Sequence, residues 1–226
     1  MAQKTLIIIG AGYAGSTAYH SLKGSFNTII IEPKDHFENS PWMAPLAGCK
    51  EQEYNSLLPK VIFDYQSFIP QNDIIKGKAK KMSSKNVTFN CFNKDQVKKA
   101  LSSHNLEFTL DDDETVTVSF DYCLICVGAR YNNPIRWDSD NTDLYPNQEY
   151  SINTRLKEVR GNLDKSKNAV VVGGGYVALE LAGYLAENNI QTTIAIRGKN
   201  IMNNKWFTED MRKTAEGILK QKNIKV

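Results

Sequence analysis

The chain has 226 residues, with 28 Lys and Arg against 25 Asp and Glu, a net charge of +3. At 41% hydrophobic and 23% charged it has an ordinary globular composition, which excludes wholesale disorder, and so small a charge does not point to nucleic acid. No apolar run approaches the ~18 residues needed to cross a bilayer, so no transmembrane segment is expected.

The chain opens MAQKTLIII, a strand pattern within a few residues of Met1 that leaves no room for a secretory signal or transit peptide. A cytoplasmic location is the expectation, although a chain docking onto a membrane or mitochondrial assembly would read the same. Residues 5–35 (TLIIIGAGYAGSTAYHSLKGSFNTIIIEPKD) join two β-branched runs through a glycine-rich turn and an amphipathic stretch, a βαβ unit. The helix predicted from Tyr13 to about Lys23 sets Ala14, Ala18 and Leu22 on one face and ends at Gly24. Residues 36–70 carry Pro41, Pro45, Pro59 and Pro70, which predict a folded excursion rather than a sheet strand.

From 72 to 120, short alternating runs (DIIKGKAKKM, NVTFNCF, LEFTL, ETVTVSF) predict an antiparallel meander, with DDDE at 111–114 as a solvated turn. Within it, 94–104 is a short helix or a surface insertion. YCLICVGA (122–129) is continuously apolar, the pattern of a fully buried parallel strand. Cys123 and Cys126 have C-x-x-C spacing, but residues three apart on a strand face opposite ways, so they read as small buried hydrophobes. Cys49 is a single thiol, and His20, His36 and His104 are too far apart in sequence to suggest a metal cluster. Residues 131–150 are polar and rich in Asn, Asp and Pro, a connector between a first domain at 1–130 and a second at 151–226.

After a helix at 151–167, residues 168–199 (NAVVVGGGYVALELAGYLAENNIQTTIAIRGK) repeat the βαβ pattern. Here Val177, Leu181 and Leu185 form the helical stripe, and Asn188-Asn189 stop it. A last helix follows, with Thr208 as N-cap and Met211, Ala215, Ile218 and Leu219 as its apolar face. The closing Asn-Ile-Lys-Val has the look of a strand beginning.

The two glycine-rich turns carry the chemistry. In GAGYAG (10–15), between strand and helix, Gly10 allows the tight turn, Gly12 lets a pyrophosphate approach the backbone, and Gly15 lets helix and strand pack closely. The phosphates would sit on the helix N-terminus, where N–H groups and the dipole favour negative charge. Glu32 stands 20 residues after Gly12, where a carboxylate accepts hydrogen bonds from an adenosine ribose. The second turn, GGGYVA (173–178), has Ala178 in place of the third glycine, a replacement the dinucleotide pattern admits. No acid stands near Ile196-Arg197. Arg197, with Lys199, reads either as a partner for a 2′-phosphate, which selects NADPH over NADH, or as an exposed turn residue.

On GAGYAG with Glu32, DYCLICVGA and GGGYVALELAG, the chain resembles the pyridine-nucleotide flavin oxidoreductases with two dinucleotide-binding domains. The resemblance points to the branch of apoptosis-inducing factor, the ferroptosis suppressor protein and the type II NADH dehydrogenases. It implies an α/β fold of two Rossmann-like units, one for FAD and one for NAD(P)H, with an antiparallel meander and the second unit incomplete. It places FAD on Gly10, Gly12, Tyr13, Ala14, Gly15, Glu32, Pro33 and Lys34, with Ala79 near adenine, Pro45 near the isoalloxazine and Val127-Gly128-Ala129 crossing beside the flavin. It places NAD(P)H on Gly173, Gly175, Tyr176, Val177, Ala178 and Arg197, and sets Glu180 as the catalytic carboxylate near the nicotinamide–flavin contact. Without a Cys pair at redox spacing near residues 40–50, electrons would pass to a quinone or another small acceptor rather than a disulfide.

Family members also carry a segment that clamps the flavin and a C-terminal domain, neither of which is in this sequence. The chain is therefore expected to need that segment or a partner chain. The alternative expectation is an inactive, truncated relative serving as a structural subunit.

Overall fold

The computed structural model describes residues 3–129 and 152–226, so the connector expected at 131–150 lies outside the described residues. In chain order the elements begin β1 (Thr5–Ile9), α1 (Tyr13–Leu22), β2 (Asn27–Glu32), β3 (His36–Glu38), α2 (Met43–Gly48), α3 (Glu51–Val61) and β4 (Ile62–Asp64). They continue β5 (Ile74–Met82), β6 (Asn86–Cys91), α4 (Lys94–Ser103), β7 (Phe108–Leu110), β8 (Thr115–Ser119) and β9 (Tyr122–Ile125). The last are α5 (Ile152–Asp164), β10 (Asn168–Val172), α6 (Tyr176–Glu187), β11 (Gln191–Ala195) and α7 (Glu209–Gln221). The described residues form two compact units, 3–38 with 62–129 and 39–61 with 152–226.

The first unit is a seven-stranded sheet in the order β7-β8-β6-β5-β2-β1-β9. Strands β5, β2, β1 and β9 run parallel, and β5 then continues into the antiparallel β6-β8-β7 meander. Both faces of the parallel part are covered, which is why β1 and β2 are uninterrupted β-branched runs. Ile7, Ile9, Ile29 and Ile31 pack on one side with Phe89 and with Val97, Ala100 and Leu101 of α4. Leu6, Ile8 and Ile30 pack on the other with Tyr19 of α1, Phe37, Tyr65 and Ile69. Each fully buried isoleucine contributes about 1.5–3 kcal/mol by leaving water. Residues 94–104 are thus a core helix and not a surface insertion.

Three local expectations are corrected here. Helix α1 buries Gly15, Ser16 and Tyr19, while Ala14 is exposed. The close approach of Gly15 to the turn and the Tyr19 hydroxyl donating to Asp73 set the helix phase. Gly24 is not a left-handed cap, because α1 already ends at Lys23 in a right-handed conformation. Strand β9 is parallel to β1 as expected but is not fully buried, since Tyr122 is 48% and Ile125 60% exposed. It pairs with β1 on one side and forms the sheet edge among the described residues. Cys123 packs in the cluster on one face and Cys126 in that on the other, as their spacing requires.

In the second unit β10 and β11 pair in parallel, and Lys225 forms an isolated parallel bridge to Thr193. Helix α6 buries Ala182 and Leu185, with Ala178 and Leu181 partly covered, whereas Val177 is 45% exposed. Its buried stripe therefore runs one residue later than the periodicity alone suggested at its start. Asn189, at φ +61, reverses the chain after Asn188. Thr208 caps α7 by accepting the Met211 N–H at 3.2 Å, and Leu219 is buried, while Met211 and Ile218 stay exposed. The proline-rich excursion folds as the helical pair α2 and α3. Helix α2 packs tightly on α6, since a Cβ at Gly48 would lie 2.8 Å from the Tyr184 Cβ.

Arg160 of α5 anchors that pair. Its guanidinium, 6% exposed, donates to the Leu46 and Cys49 carbonyls at 3.0 and 2.9 Å and to Glu51 at 3.0 Å, and lies 4.1 Å from the Tyr54 ring centroid. The C-terminal carbonyls of α2 thereby gain a buried cationic donor, which the helix dipole favours.

Candidate dinucleotide-binding turns

The first turn is built where β1 hands over to α1. Gly10, at φ +99, donates its N–H to the Ile31 carbonyl at 2.9 Å. A Cβ there would fall 2.4 Å from the Cys126 carbonyl oxygen and 3.2 Å from the Val127 Cα, so the chain crossing at 126–127 lies directly against the turn. At Gly15 a Cβ would fall 1.8 Å from the Gly10 carbonyl oxygen, which ties this glycine to the packing of helix on turn. Gly12 differs from both. Its φ of −64° suits any residue and a Cβ would meet nothing within 4 Å, so nothing in the fold demands glycine there.

Gly12 is the N-cap of α1 and supplies no side-chain cap, and the first intrahelical bond runs from the Ser16 N–H to its carbonyl at 2.9 Å. A helix start without a capping side chain, next to open space, is a place where backbone N–H groups can meet phosphate oxygens. Glu32 closes the site. Its carboxylate, 6% exposed, accepts the Ala11 N–H at 2.6 Å and the Lys34 N–H at 2.9 Å. Burial pushes its pKa up, and those two bonds act against the shift.

Gly10, Gly12, Tyr13, Ala14, Gly15, Glu32, Pro33 and Lys34 thus converge around one strand-to-helix turn, with Val127 beside them. Tyr13 is half exposed and meets Phe37 edge-on at 5.1 Å. Gly128 follows at φ +71, and Ala129 is exposed. Ala79 lies on β5 beyond its pairing with β2, opposite Phe89 and packed on the first core cluster. Pro45 belongs to the other unit, buried in the first turn of α2.

The second turn repeats the geometry. Gly173, at φ +123, donates to the Ala195 carbonyl at 2.8 Å, as Gly10 does to Ile31. Gly175 is an N-cap without a capping side chain, and a Cβ on it would meet nothing within 4 Å. Ala178 occupies the place of Gly15, its Cβ 3.9 Å from an ideal Cβ on Gly173. By the same correspondence Ile196, which follows Ala195, stands where Glu32 follows Ile31. A Cβ on Gly174 would fall 2.8 Å from the Ile196 Cγ2, so an apolar side chain fills the place that the carboxylate takes beside Ala11. Arg197 and Lys199 are exposed beyond it, and Tyr176 and Val177 are exposed on the first turn of α6. Glu180 is an exposed residue of α6, and partial burial raises its pKa.

A groove of about 930 Å³ in this unit lies between α7 and the last residues, lined by Asn189, Thr192, Glu216 and Lys225, and includes none of residues 173–178. Among the described residues no group of His, Cys, Asp or Glu could hold a metal, all four cysteines are free thiols, and no helix is long and apolar enough to cross a membrane. Sequence reasoning missed Ser16, whose hydroxyl donates to the Ala11 carbonyl at 2.6 Å and stiffens the turn, and missed Arg160. A serine on the buried side of a helix was the available signal for the first, and Arg160 offered none.

The family description "Pyridine nucleotide-disulphide oxidoreductase" matches residues 4–226. Apoptosis-inducing factor homolog B of Dictyostelium discoideum is 22% identical over 232 residues, covering 99% of this chain and 51% of that protein. Homolog A of the same organism is 24% identical over 181 residues, 80% of this chain and 36% of that protein. The chain thus spans about half or less of the curated relatives it matches. NDH2 from Plasmodium falciparum, solved in complex with NADH, shares the fold at a TM-score of 0.64 and 16% identity, covering 99% of this chain and 47% of that one. With two strand-to-helix glycine turns and a family match over nearly its whole length, the chain belongs to the pyridine nucleotide-disulphide oxidoreductases.

Proposed function

We propose that the first turn binds FAD, that the second binds NAD(P)H, and that the protein carries electrons from nicotinamide to flavin and on to a quinone or another small acceptor. One observation carries this reading. The two turns share their backbone geometry but differ where a ribose would be held, with Glu32 in the first and Ile196 in the second. A buried carboxylate accepts ribose hydroxyls, whereas an apolar residue followed by exposed Arg197 leaves room for a 2′-phosphate. When bound, the nicotinamide supplies a hydride and the flavin accepts it.

The chain's own residues bind and orient. N–H groups at the starts of α1 and α6 would hold the two diphosphates. Lys34 and Ala79 would serve the adenosine end of FAD and Val127-Gly128-Ala129 the flavin ring, and the resemblance gives Pro45 a part at the flavin and Glu180 one near the nicotinamide. NDH2, which shares the fold, is bound to NADH, and this supports a nicotinamide at the second turn. The test is anaerobic addition of NADH or NADPH to FAD-loaded protein. Bleaching of the visible flavin band, faster with NADPH and losing that preference in Arg197→Ala, is the expected result. Protein that takes up no FAD, or whose flavin neither nucleotide reduces, overturns the proposal and leaves a structural subunit.

A further inference from the structure

Immediately after Glu32, the loop into β3 holds a compact set of charges. Both ring nitrogens of His36 face carboxylates, Nδ1 at 2.6 Å from Asp35 Oδ1 and Nε2 at 3.1 Å from Glu38 Oε1. Lys34 Nζ donates to the same Glu38 oxygen at 2.8 Å, and Lys76 of β5 reaches Asp35 at 3.4 Å. The Lys34 backbone N–H, in turn, is one of the two donors that hold Glu32. Asp64 of β4 stands opposite His36 in the strand register. Among the described residues the charged groups bonded to the ring are Asp35 and Glu38, and Lys76 and Lys34 reach those two carboxylates in turn.

A neutral imidazole carries one N–H and one lone pair, so it can donate to only one of two carboxylates. With both ring positions 3.1 Å or less from carboxylate oxygens, the arrangement is built for an imidazolium. We propose that His36, doubly protonated, is a positioning residue for adenine-nucleotide binding. It fastens the loop between β2 and β3 from both sides, so that the Glu32 carboxylate and the Lys34 N–H are held in place before the ligand arrives. This rests on the reading of the first turn as the FAD site.

The charge state agrees with the geometry. Burial alone would lower the pKa of His36, but its hydrogen bonds to Asp35 and Glu38 and their charges reverse this and raise it to about 9. The His36 hydrogen bond holds Asp35 below the usual carboxylate range. Burial raises Glu38, but His36 and Lys34 more than offset this and leave it lowered. Because the folded pKa of His36 lies above its unfolded value, its contribution to stability is full below about pH 6.5, and the clamp itself is lost as pH rises through about 9. A loop freed in this way must be ordered by the ligand, which weakens binding.

The test is the FAD dissociation constant of wild type and of His36→Gln measured across pH, read as their ratio so that ionisation of the flavin itself cancels. The expected ratio is about tenfold on the acid side of pH 9 and falls to near one above it, as the wild type loses the proton that the variant never had. Glu38→Gln, which removes one of the two negative charges that favour the imidazolium, is expected to flatten the same limb and serves if His36→Gln does not fold. A ratio near one throughout, or a constant ratio at every pH, overturns the assignment and leaves the FAD site standing. Wild type that binds no FAD at any pH overturns the dinucleotide reading and the role of His36 with it.

Discussion

Gly12→Ala and Gly15→Ala separate the glycine that a ligand requires from the glycine that the fold requires. At Gly15 an added Cβ falls 1.8 Å from the Gly10 carbonyl oxygen, where real contacts stay beyond 3.0 Å. Helix α1 must therefore move at least 1.2 Å off the turn, disturbing Tyr19 and the Ser16 bond to Ala11. Such overpacking costs on the order of 3 kcal/mol. At Gly12 the Cβ meets nothing and φ is ordinary. Two small effects oppose each other there: fewer unfolded conformations stabilise by about 0.4–1 kcal/mol, and a poorer N-cap costs about 0.5–1 kcal/mol.

Gly12→Ala should therefore unfold within about 1 kcal/mol of wild type, while on the proposed FAD site its affinity for FAD should fall at least about tenfold, because the Cβ would stand where the diphosphate is proposed to meet the backbone. Urea denaturation gives the stabilities and calorimetric titration with FAD the affinities. A Gly15→Ala protein as stable as wild type, or a Gly12→Ala protein that binds FAD as wild type does, would refute the reasoning.

Arg160→Met leaves the Leu46 and Cys49 carbonyls without their buried donor and should cost about 2–4 kcal/mol by urea denaturation; an unchanged midpoint would count against the cap. Cys123 and Cys126 lie on opposite sides of β9 and should stay reduced under mild oxidant, so mass spectrometry of non-reduced peptides should find no bond between them. Asn189 holds φ +61, and Asn189→Gly should leave stability unchanged or raise it by up to about 1 kcal/mol, a loss beyond that arguing for a side-chain role.

Much of the fold was legible because its strands obey simple rules. Ile7 and Ile9 on one face and Leu6 and Ile8 on the other required cover on both sides, and the glycine turns fixed the βαβ units. The helix phases were legible in part. In α1 Ala18 and Leu22 pack on the core as the spacing implies, but the tight contact of Gly15 with the turn and the buried Tyr19 leave Ala14 exposed, and in α6 Leu181 and Leu185 pack as expected while Val177 is exposed. The edge position of β9 was hidden because an apolar run looks alike in the middle and at the margin of a sheet. Within the candidate site, Glu32 could be found by its distance from Gly12. The clamp around His36 went unseen although Asp35 and Glu38 flank it in the chain, because charged neighbours are usually solvated, and Lys76, which steadies Asp35, comes from 41 residues farther on. Arg160 could not be found, since its partners lie more than 100 residues earlier.

That two separate turns hold two different dinucleotides is tested most directly by titrating FAD and NADPH into Gly12→Ala and Gly175→Ala in parallel. Selective damage is the expected pattern, the first substitution weakening only FAD and the second only NADPH. Equal weakening of both nucleotides by either change, or none by both, would contradict it.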